Sequence, residues 1–401
     1  MKRYASDFVF SNDEPYMDLV FPKKDESIGI IGAGPSGLTC AYYLARLGYG
    51  VTVYEMQPIA GGMLAYGIPE YRLPNDILEK EIRLIEQVGV EIKLGVEVGK
   101  DILFSEMRHK HNAIYVATGT QFPNKVGVPG EELAGVYHGL DFLRDVALGK
   151  PVTVGKNVVV IGGGSTAFDA ARTALRKGAE SVTVIYRRTI EDMPADQREI
   201  DEAIEEGVEV RELLAPVAIV GDKHVTGIRC IAMELRGFDS AGRRKPYPVE
   251  GFEVVIAADM VIPAVSQHSD LPFISKDDIE VSQWGTLVTD PETMMTSIDG
   301  VFAGGDVIRG PDIVITAIAD GKKTASAISS YLGGTGELNT GEDIEIPMPE
   351  AEEEVMEHER FEMRYVDPEQ RVKNFDEVVV GFHRLNAIAE AMRCLRCDRR
   401  C

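Results

Sequence analysis

The sequence predicts an α/β fold, and two observations carry that prediction. An apolar run, a glycine-rich turn, an amphipathic run and a second apolar run follow one another from Ile28 to Glu55. The same order recurs from Asn157 to Arg188, about 130 residues later. An order of strand, turn, helix and strand builds a parallel sheet with a crossover helix. The chain therefore contains two copies of one βαβ unit.

The first glycine turn predicts a dinucleotide site. Gly32 permits the tight turn, Gly34 lets a pyrophosphate approach the helix N-terminus, and Gly37 lets the helix pack close to the sheet. Glu55 follows Gly37 by 18 residues, where a carboxylate that binds a ribose hydroxyl is expected. A glycine turn without a ligand is the alternative. The flanking strands, the helix and the acid favour a site that suits FAD or NAD.

Three further stretches are predicted to approach the same ligand. Residues 61–74 contain too many glycines and prolines for a regular helix or strand and form a long shaped loop. Thr118 and Gly119 end one short strand, and Asp306 follows another strand just before a helix that begins at Val314. On its chemistry alone, Asp306 is equally a helix-capping residue.

The second glycine turn differs from the first at its acidic position. Residues 162–167 read G-x-G-x-x-A, and the strand that follows ends in Arg187 and Arg188 instead of an acid. A guanidinium at this position pairs with a ribose 2′-phosphate, which favours NADP(H) over NAD(H). A solvated basic pair is the alternative.

Composition restricts the class of protein and its partners. The 401 residues are 44% hydrophobic and 27% charged, as in soluble proteins of two or three domains. The net charge of −23 argues against nucleic acid or an anionic membrane as the main partner. No apolar run reaches the roughly 18–20 residues that span a bilayer, and the N-terminus lacks the apolar segment of a signal peptide. We predict a cytoplasmic protein with no membrane span.

The five cysteines fall into two groups. Cys40 and Cys230 are isolated and are predicted to be buried structural thiols, so no cysteine pair is expected beside the first site. Cys394, Cys397 and Cys401 have C-x-x-C-x-x-x-C spacing, which predicts an iron–sulfur cluster whose fourth ligand comes from elsewhere. Zinc and a tail of free thiols are the alternatives.

The order of the motifs resembles the small (β) subunit of glutamate synthase. It equally resembles related flavoprotein subunits, including those of electron-bifurcating NADPH/ferredoxin transhydrogenases. The shared motifs are GAGPSG, GGMLAYGIPEYRLP, ATGT, GGGSTAFDAAR, YRR followed by MPA, and AGGDVIRGP. The closing EAMRCLRC is similar to the family's cysteine signature.

This resemblance implies two nested Rossmann-like dinucleotide-binding domains of the glutathione-reductase type, followed by a C-terminal cysteine-bearing arm. The boundaries predicted from it are an N-terminal extension at 1–26, a discontinuous FAD-binding domain at 27–145 and 285–335, an NADP(H)-binding domain at 146–284, and an acidic arm with the cysteine motif at 336–401.

The resemblance also implies FAD at the first site, and the Arg pair agrees with NADP(H) at the second. The predicted FAD-binding residues are Gly32, Gly34, Pro35, Ser36, Gly37, Glu55, Gly62, Met63, Leu64, Gly67, Ile68, Arg72, Thr118, Gly119, Gly305, Asp306, Ile313 and Val314. The predicted NADP-binding residues are Gly162, Gly164, Ser165, Thr166, Arg187 and Arg188.

The function that these features predict is electron transfer within a larger oxidoreductase. A hydride would move between NADP(H) and FAD, and single electrons between FAD and iron–sulfur centres of partner subunits. No side chain is assigned as a catalytic acid or base. A free-standing NADPH:ferredoxin or NADPH:acceptor oxidoreductase is the alternative.

The sequence departs from the family at two places. An N-terminal domain with iron–sulfur clusters is not expected, and Ser266 stands where the family has glycine.

Overall fold

The computed structural model describes residues 1–11, 21–239, 242–274, 279–338 and 359–393. The helices in these ranges are α1 Lys2–Ser11, α2 Pro35–Arg46, α3 Met63–Tyr66, α4 Asn75–Gln87, α5 Phe104–Lys110, α6 Gly139–Ala147, α7 Ser165–Arg176, α8 Gln197–Glu205, α9 Asp306–Arg309, α10 Val314–Tyr331, α11 Pro368–Arg371 and α12 Arg384–Met392. The strands are β1 Ser27–Ile31, β2 Gly50–Glu55, β3 Glu91–Leu94, β4 Ala113–Val116, β5 Phe122–Pro123, β6 Asn157–Ile161, β7 Ser181–Ile185, β8 Glu209–Arg211, β9 Leu214–Gly221, β10 Val225–Phe238, β11 Arg244–Ala257, β12 Met260–Pro263, β13 Gln267–His268, β14 Val301–Ala303, β15 Arg364–Tyr365 and β16 Val379–Gly381.

The first βαβ unit forms a parallel five-stranded sheet in the order β14-β4-β1-β2-β3. Strands β1, β4 and β14 are almost entirely buried, as expected for a parallel sheet that is covered on both faces. Helices α2 and α10 lie side by side on one face, and a Cβ added at Gly321 would lie 2.3 Å from the Ser36 carbonyl oxygen. This close approach brings the N-termini of both helices to the same edge of the sheet.

The second βαβ unit forms a parallel four-stranded sheet in the order β12-β6-β7-β8. Helices α6, α7 and α8 cover one face, with Phe142 and Phe168 fully buried between them. The antiparallel sheet β11-β10-β9 covers the other face, where Ile228 and Cys230 pack against Val159.

Two short strands mark where the chain crosses between the units. Strand β5 leaves the first unit and β13 returns to it, and the two pair antiparallel. Side chains of α6 pack in the second core, and Ile274 and Ile279 pack in the first. The side chains thus divide between the two cores at 122–123 and 267–268. The domain boundaries at 146 and 284 remain predictions.

The two terminal segments contact each other. The N-terminal extension expected at 1–26 contains helix α1, which buries none of its residues. Arg3 of α1 donates to both carboxylate oxygens of Glu377 in the C-terminal segment. A contact so distant in sequence is not visible in local patterns.

The longest described helix is α10, with 18 residues, and it carries Lys322 and Lys323. None of the helices in the described ranges is both long and apolar enough to cross a membrane.

Candidate dinucleotide-binding cleft

The first glycine turn places the N-terminus of α2 at the edge of the first sheet. Gly32 has φ of +104°, and an added Cβ would lie 2.5 Å from the Ala117 carbonyl oxygen. A Cβ at Gly37 would lie 2.0 Å from the Gly32 carbonyl oxygen, so this glycine permits the helix to approach its own turn. A Cβ at Gly34 would meet only the Gly62 Cα, at 4.0 Å. Gly34 therefore faces open space beside the helix N-terminus.

Glu55 lies at the end of β2 and is only 2% exposed. Its carboxylate accepts hydrogen bonds of 2.8 Å from the backbone N–H groups of Ala33 and Gln57. Burial raises the pKa of Glu55, and these backbone donors partly offset the rise. Each carboxylate oxygen keeps a second lone pair, so Glu55 can hold the turn and still accept from a ribose hydroxyl.

The loop at 61–74 folds over the first turn. The Gly61 N–H donates to the Ala33 carbonyl at 2.8 Å, and a Cβ at Gly62 would lie 2.8 Å from the Gly34 Cα. The loop was expected to lack regular structure, but Met63–Tyr66 forms one helical turn. Met63, Gly67 and Ile68 line the cleft, whereas Leu64 packs against the cluster around Tyr66.

Residues 304–314 close the same site from the side of α10. Gly305 has φ of +75°, and its N–H donates to Asp320 at 2.9 Å. Asp306, Ile313 and Val314 line the cleft, where Asp306 begins the short helix α9. Burial raises the pKa of Asp306 to about 6, against hydrogen bonds from the Asp312 backbone and the Thr120 hydroxyl, which lower it.

The raised pKa of Asp306 predicts a pH-dependent cost in the FAD-free protein. The unfolded chain loses this proton near pH 4, but the folded chain keeps it until pH about 6, so stability falls between these values and stays low above them. After a discount for partial exposure, Asp306→Asn should raise the free energy of unfolding by about 1–2 kcal/mol at pH 7.5. Urea unfolding of both proteins should show almost no gain at pH 3.5. An equal gain at both pH values would contradict ionisation as the cause.

The second glycine turn repeats the geometry of the first. Gly162 has φ of +150°, and an added Cβ would lie 2.4 Å from the Ala264 carbonyl oxygen. A Cβ at Gly164 would meet only Pro194, at 3.8 Å, so it too faces open space. Ser165 and Thr166 form the first turn of α7 and line the cleft.

The two arginines at the end of β7 have different surroundings. Arg187 is exposed and lines the cleft. Arg188 is 4% exposed, and its guanidinium donates to the Arg244 carbonyl at 2.6 Å and to Asp239 at 3.1 Å. The sequence predicted that both bind NADP, but the structure places only Arg187 at the cleft wall. Arg188 instead fastens the end of β7 to the β10–β11 ribbon.

A third arginine, which the sequence analysis missed, stands near Arg187. Arg243 follows the turn of the β10–β11 ribbon, is exposed, and lines the cleft. Its neighbour Arg244 donates to Asp192 at 2.7 Å and to Thr189 at 2.6 Å, so that guanidinium already has partners. A second Arg-Arg pair in the same unit was the available signal, but only the contact of Arg188 with the ribbon reveals the position of Arg243.

Both turns open into one cleft of about 1480 Å³. Single small-ligand sites are roughly 300–1000 Å³, so this volume suits two dinucleotides. Among the described residues, Tyr66 Oη, Thr118 Oγ1 and Gln121 Oε1 are buried without a hydrogen-bond partner, and all three residues line the cleft. Unsatisfied polar atoms and uncrowded glycines fit a polar ligand.

Ser266 lies in the wall of this cleft with φ of +89°. A non-glycine residue rarely adopts this left-handed conformation. Its carbonyl accepts from Asn124 N–H at 3.0 Å, next to the β5–β13 crossing. The positive φ at residue 266 explains why the family that this chain resembles has glycine at this position.

Neither of the two cysteines within the described ranges lines the cleft. Cys40 in α2 and Cys230 in β10 are free and buried, and burial raises the pKa of both thiols. Cys394, Cys397 and Cys401 lie outside the described residues. Within the described ranges, no group of three or more His, Cys, Asp or Glu side chains could hold a metal ion.

Two parallel sheets with glycine turns that face one cleft define the class: oxidoreductases that bind two dinucleotides. The chain belongs to the pyridine nucleotide-disulphide oxidoreductase family, whose sequence model matches residues 26–321. The α/β fold class predicted from the sequence is thus confirmed. The prediction that the protein is an oxidoreductase is confirmed as well.

Curated relatives confirm the resemblance drawn from the motifs. The beta subunit of an NADP(+)-dependent formate dehydrogenase from Moorella thermoacetica is 43% identical over 387 residues, which cover 93% of this chain and 55% of the relative. The beta subunit of the NADPH-Fe(3+) oxidoreductase from Geobacter sulfurreducens is 38% identical over 441 residues, covering 100% of this chain and 65% of the relative. The glutamate synthase (NADPH) small chain of Escherichia coli K12 is 36% identical, with 83% and 74% covered.

The chain spans between half and two thirds of the length of the first two of these relatives.

Solved structures support the fold. FprA from Mycobacterium tuberculosis in complex with NADPH has a TM-score of 0.67 at 20% identity, covering 77% of this chain and 85% of that one. Thioredoxin reductase from Lactococcus lactis has a TM-score of 0.59 at 24% identity, with 77% and 99% covered.

Proposed function

We propose that the chain is the flavoprotein electron-transfer subunit of a multisubunit oxidoreductase of the transhydrogenase or glutamate synthase-like kind. In this proposal FAD, when bound, exchanges a hydride with NADP(H) and passes single electrons to or from iron–sulfur centres. The observation that carries the proposal is that two dinucleotide turns open into one cleft. The relatives named above are subunits that use NADP(H), which supports the assignment.

FAD is assigned to the first turn because of the acid at the end of β2. Glu55 would accept from a ribose hydroxyl, and the α2 N-terminus would donate to the pyrophosphate. Gly34 leaves the room that a phosphate needs, because a Cβ there would extend into open space, and Gly62 allows the loop to approach Gly34 closely. Asp306 and the N-terminus of α10 would hold the other end of the ligand. The Tyr66 side chain, 1% exposed, would help to exclude water.

NADP(H) is assigned to the second turn because of the charges beside it. Arg187 has no acidic partner among the described residues and stands free at the cleft wall. Arg243 contributes a second guanidinium, 3.4 Å from Asp239. Two guanidinium groups can bind a 2′-phosphate from two sides.

Replacing Arg187 should weaken NADPH binding far more than NADH binding. The loss of a charge-assisted hydrogen bond of about 1.5–3 kcal/mol predicts a roughly 10–100-fold increase in KM for NADPH. Arg243→Ala should act in the same direction. KM for both cofactors, measured for each variant, checks this. Arg211→Ala, at an exposed edge of the same unit, is the control. Equal changes for NADPH and NADH would contradict a 2′-phosphate site.

The outlet for single electrons is assigned to the C-terminal cysteines on spacing alone, since they lie outside the described residues. Their partners would be iron–sulfur or flavoprotein subunits, or ferredoxin, in the cytoplasm. Iron and zinc analysis with an EPR spectrum of the reduced protein distinguishes the two metals.

A free-standing NADPH:ferredoxin or NADPH:acceptor oxidoreductase is the second candidate, and a single 44.0 kDa species in native cell extract would favour it.

Anaerobic mixing of the FAD-loaded protein with NADPH tests the central step. The absorbance of the oxidised flavin should bleach rapidly with NADPH and slowly with NADH. A protein that binds FAD but is not reduced by either nucleotide would overturn the proposed function.

A further inference from the structure

An ionic junction links the loop at 61–74 to the second unit. Arg72 donates to both carboxylate oxygens of Asp169 in α7, at 2.8 and 2.7 Å, and also to Glu199 in α8. The sequence predicted that Arg72 binds FAD. The structure places its guanidinium between two carboxylates of the opposite unit, and Arg72 also lines the cleft, so the FAD contact remains a prediction.

The carboxylates of the junction are largely shielded from water, and the Arg72 side chain is 24% exposed. The Asp169 side chain is 5% exposed and that of Glu199 is 18% exposed. Ion pairs at the surface contribute little, but breaking a buried pair leaves an uncompensated charge and is costly. The junction therefore favours one orientation of the two units over rotated alternatives.

Tyr71 extends the junction beyond the ion pair. Its ring is fully buried, with the guanidinium carbons of Arg172 and Arg176 at 4.8 and 3.9 Å from the ring centroid. Its hydroxyl donates to the Asp169 carbonyl at 3.4 Å. The same helix, α7, thus receives two consecutive residues of the loop.

The C-terminal segment closes the junction from a third direction. Val378 N–H donates to the Tyr71 carbonyl at 3.0 Å, and the rings of Phe375 and Tyr71 lie 6.2 Å apart. Arg371 is 2% exposed and donates to Glu206 at 2.8 Å, beside the arginines that flank Tyr71. The C-terminal segment therefore contacts both the loop at 61–74 and α8.

The position of the junction relates it to the chemistry of the cleft. Arg72 and Asp169 both line the cleft, as do Gly62 at the first turn and Ser165 at the second. Hydride transfer requires the donor and acceptor atoms to be about 3–3.5 Å apart, so a small rotation of one unit lowers the rate sharply. A contact that crosses the cleft between the two turns controls that distance.

We propose that Arg72 is a positioning residue, which holds the second unit at the orientation needed for hydride transfer by bridging to Asp169 and Glu199. This inference rests on the proposed function for its kinetic consequence. The orientation itself can be measured without any turnover, so the two proposals can fail separately.

The experiment compares Arg72→Met and Arg72→Lys with the parent, all loaded with FAD. Spin labels carried by genetically encoded ketone residues at Arg83 and Lys177, both exposed, avoid the native cysteines. The distance between the labels, measured by double electron–electron resonance, should be narrow in the parent and broad or shifted in Arg72→Met. Arg72→Lys should restore part of the narrow distribution. Arg211→Met, whose ion pair with Glu209 stays within one strand, is the control.

The kinetic arm measures flavin reduction at saturating NADPH. Arg72→Met should lower the rate constant at least roughly 10-fold, with the Kd for NADPH changed less than about 3-fold. If Arg72→Met does not fold, Glu199→Gln weakens the same bridge more mildly and should broaden the distances. An unchanged distance distribution would overturn the inference. Loss of bound FAD would also overturn it, in favour of Arg72 as an FAD ligand.

Discussion

Gly34→Ala is expected to abolish FAD binding while leaving the fold intact. Gly34 has φ of −80° and ψ of 179°, which an alanine adopts without strain, and its Cβ would meet no atom closer than 4.0 Å. That empty space is where a pyrophosphate would approach the α2 N-terminus. The added methyl group should lower the affinity for FAD by roughly 100-fold or more, about 3 kcal/mol.

Fluorescence titration of the FAD-free protein measures this loss, and circular dichroism measures the fold. Gly164→Ala is the matched control at the second turn, where the backbone is equally compatible with alanine. It should weaken NADPH binding and spare FAD. Gly37→Ala should instead destabilise the fold, because its Cβ would lie 2.0 Å from a carbonyl oxygen. Full FAD binding by Gly34→Ala would refute the assignment of the first turn.

Glu206→Gln is expected to be among the most destabilising single changes in the described chain. The Glu206 side chain is fully buried and accepts from Arg172, Arg176 and Arg371, the last of which comes from the C-terminal segment. A neutral amide would leave three buried guanidinium groups with insufficient countercharge. Breaking a buried ionic network of this kind costs about 3–5 kcal/mol.

Urea unfolding at pH 7.5 measures the cost for Glu206→Gln against Glu202→Gln. Among the described residues the Glu202 carboxylate pairs with Arg172 alone, and it is 17% exposed, so its loss should cost about 1 kcal/mol. Burial alone would raise the pKa of Glu206, but hydrogen bonds from Arg176 and Arg172 outweigh burial and lower the pKa to about 2. The stabilisation is therefore present above pH 4.5 and is lost as the pH falls towards 2. A cost that is the same at pH 7.5 and pH 2.5 would contradict this account.

The buried network gives the C-terminal segment a place in the proposed function. Arg371 contacts α8, Val378 contacts the loop at 61–74, and α12 follows them in the chain. The segment that leads to the cysteines is thus anchored to the same loop that lines the cleft. Electron input and output would be connected through one packed junction.

The sequence by itself determined the two βαβ units and the chemistry at their turns. Glycine spacing and an acid or a base at a strand end are local properties, because a turn of six residues uses its own backbone. The predicted positions of Gly32, Gly34, Glu55 and Gly162 therefore agree with the geometry of the cleft. The spacing of the tail cysteines remains a prediction of the same local kind.

Only the tertiary structure decided which charged residues face the cleft and which are used in packing. Arg187 and Arg188 are neighbours in sequence, yet one is exposed at the cleft and the other is buried against Asp239. Arg72 lines the cleft and also bridges to the second unit, which the sequence did not indicate, and Arg243 was not expected at all. The partner of a long cationic side chain is set by the nearest carboxylate in space, and that neighbour comes from a strand or helix far away in the chain.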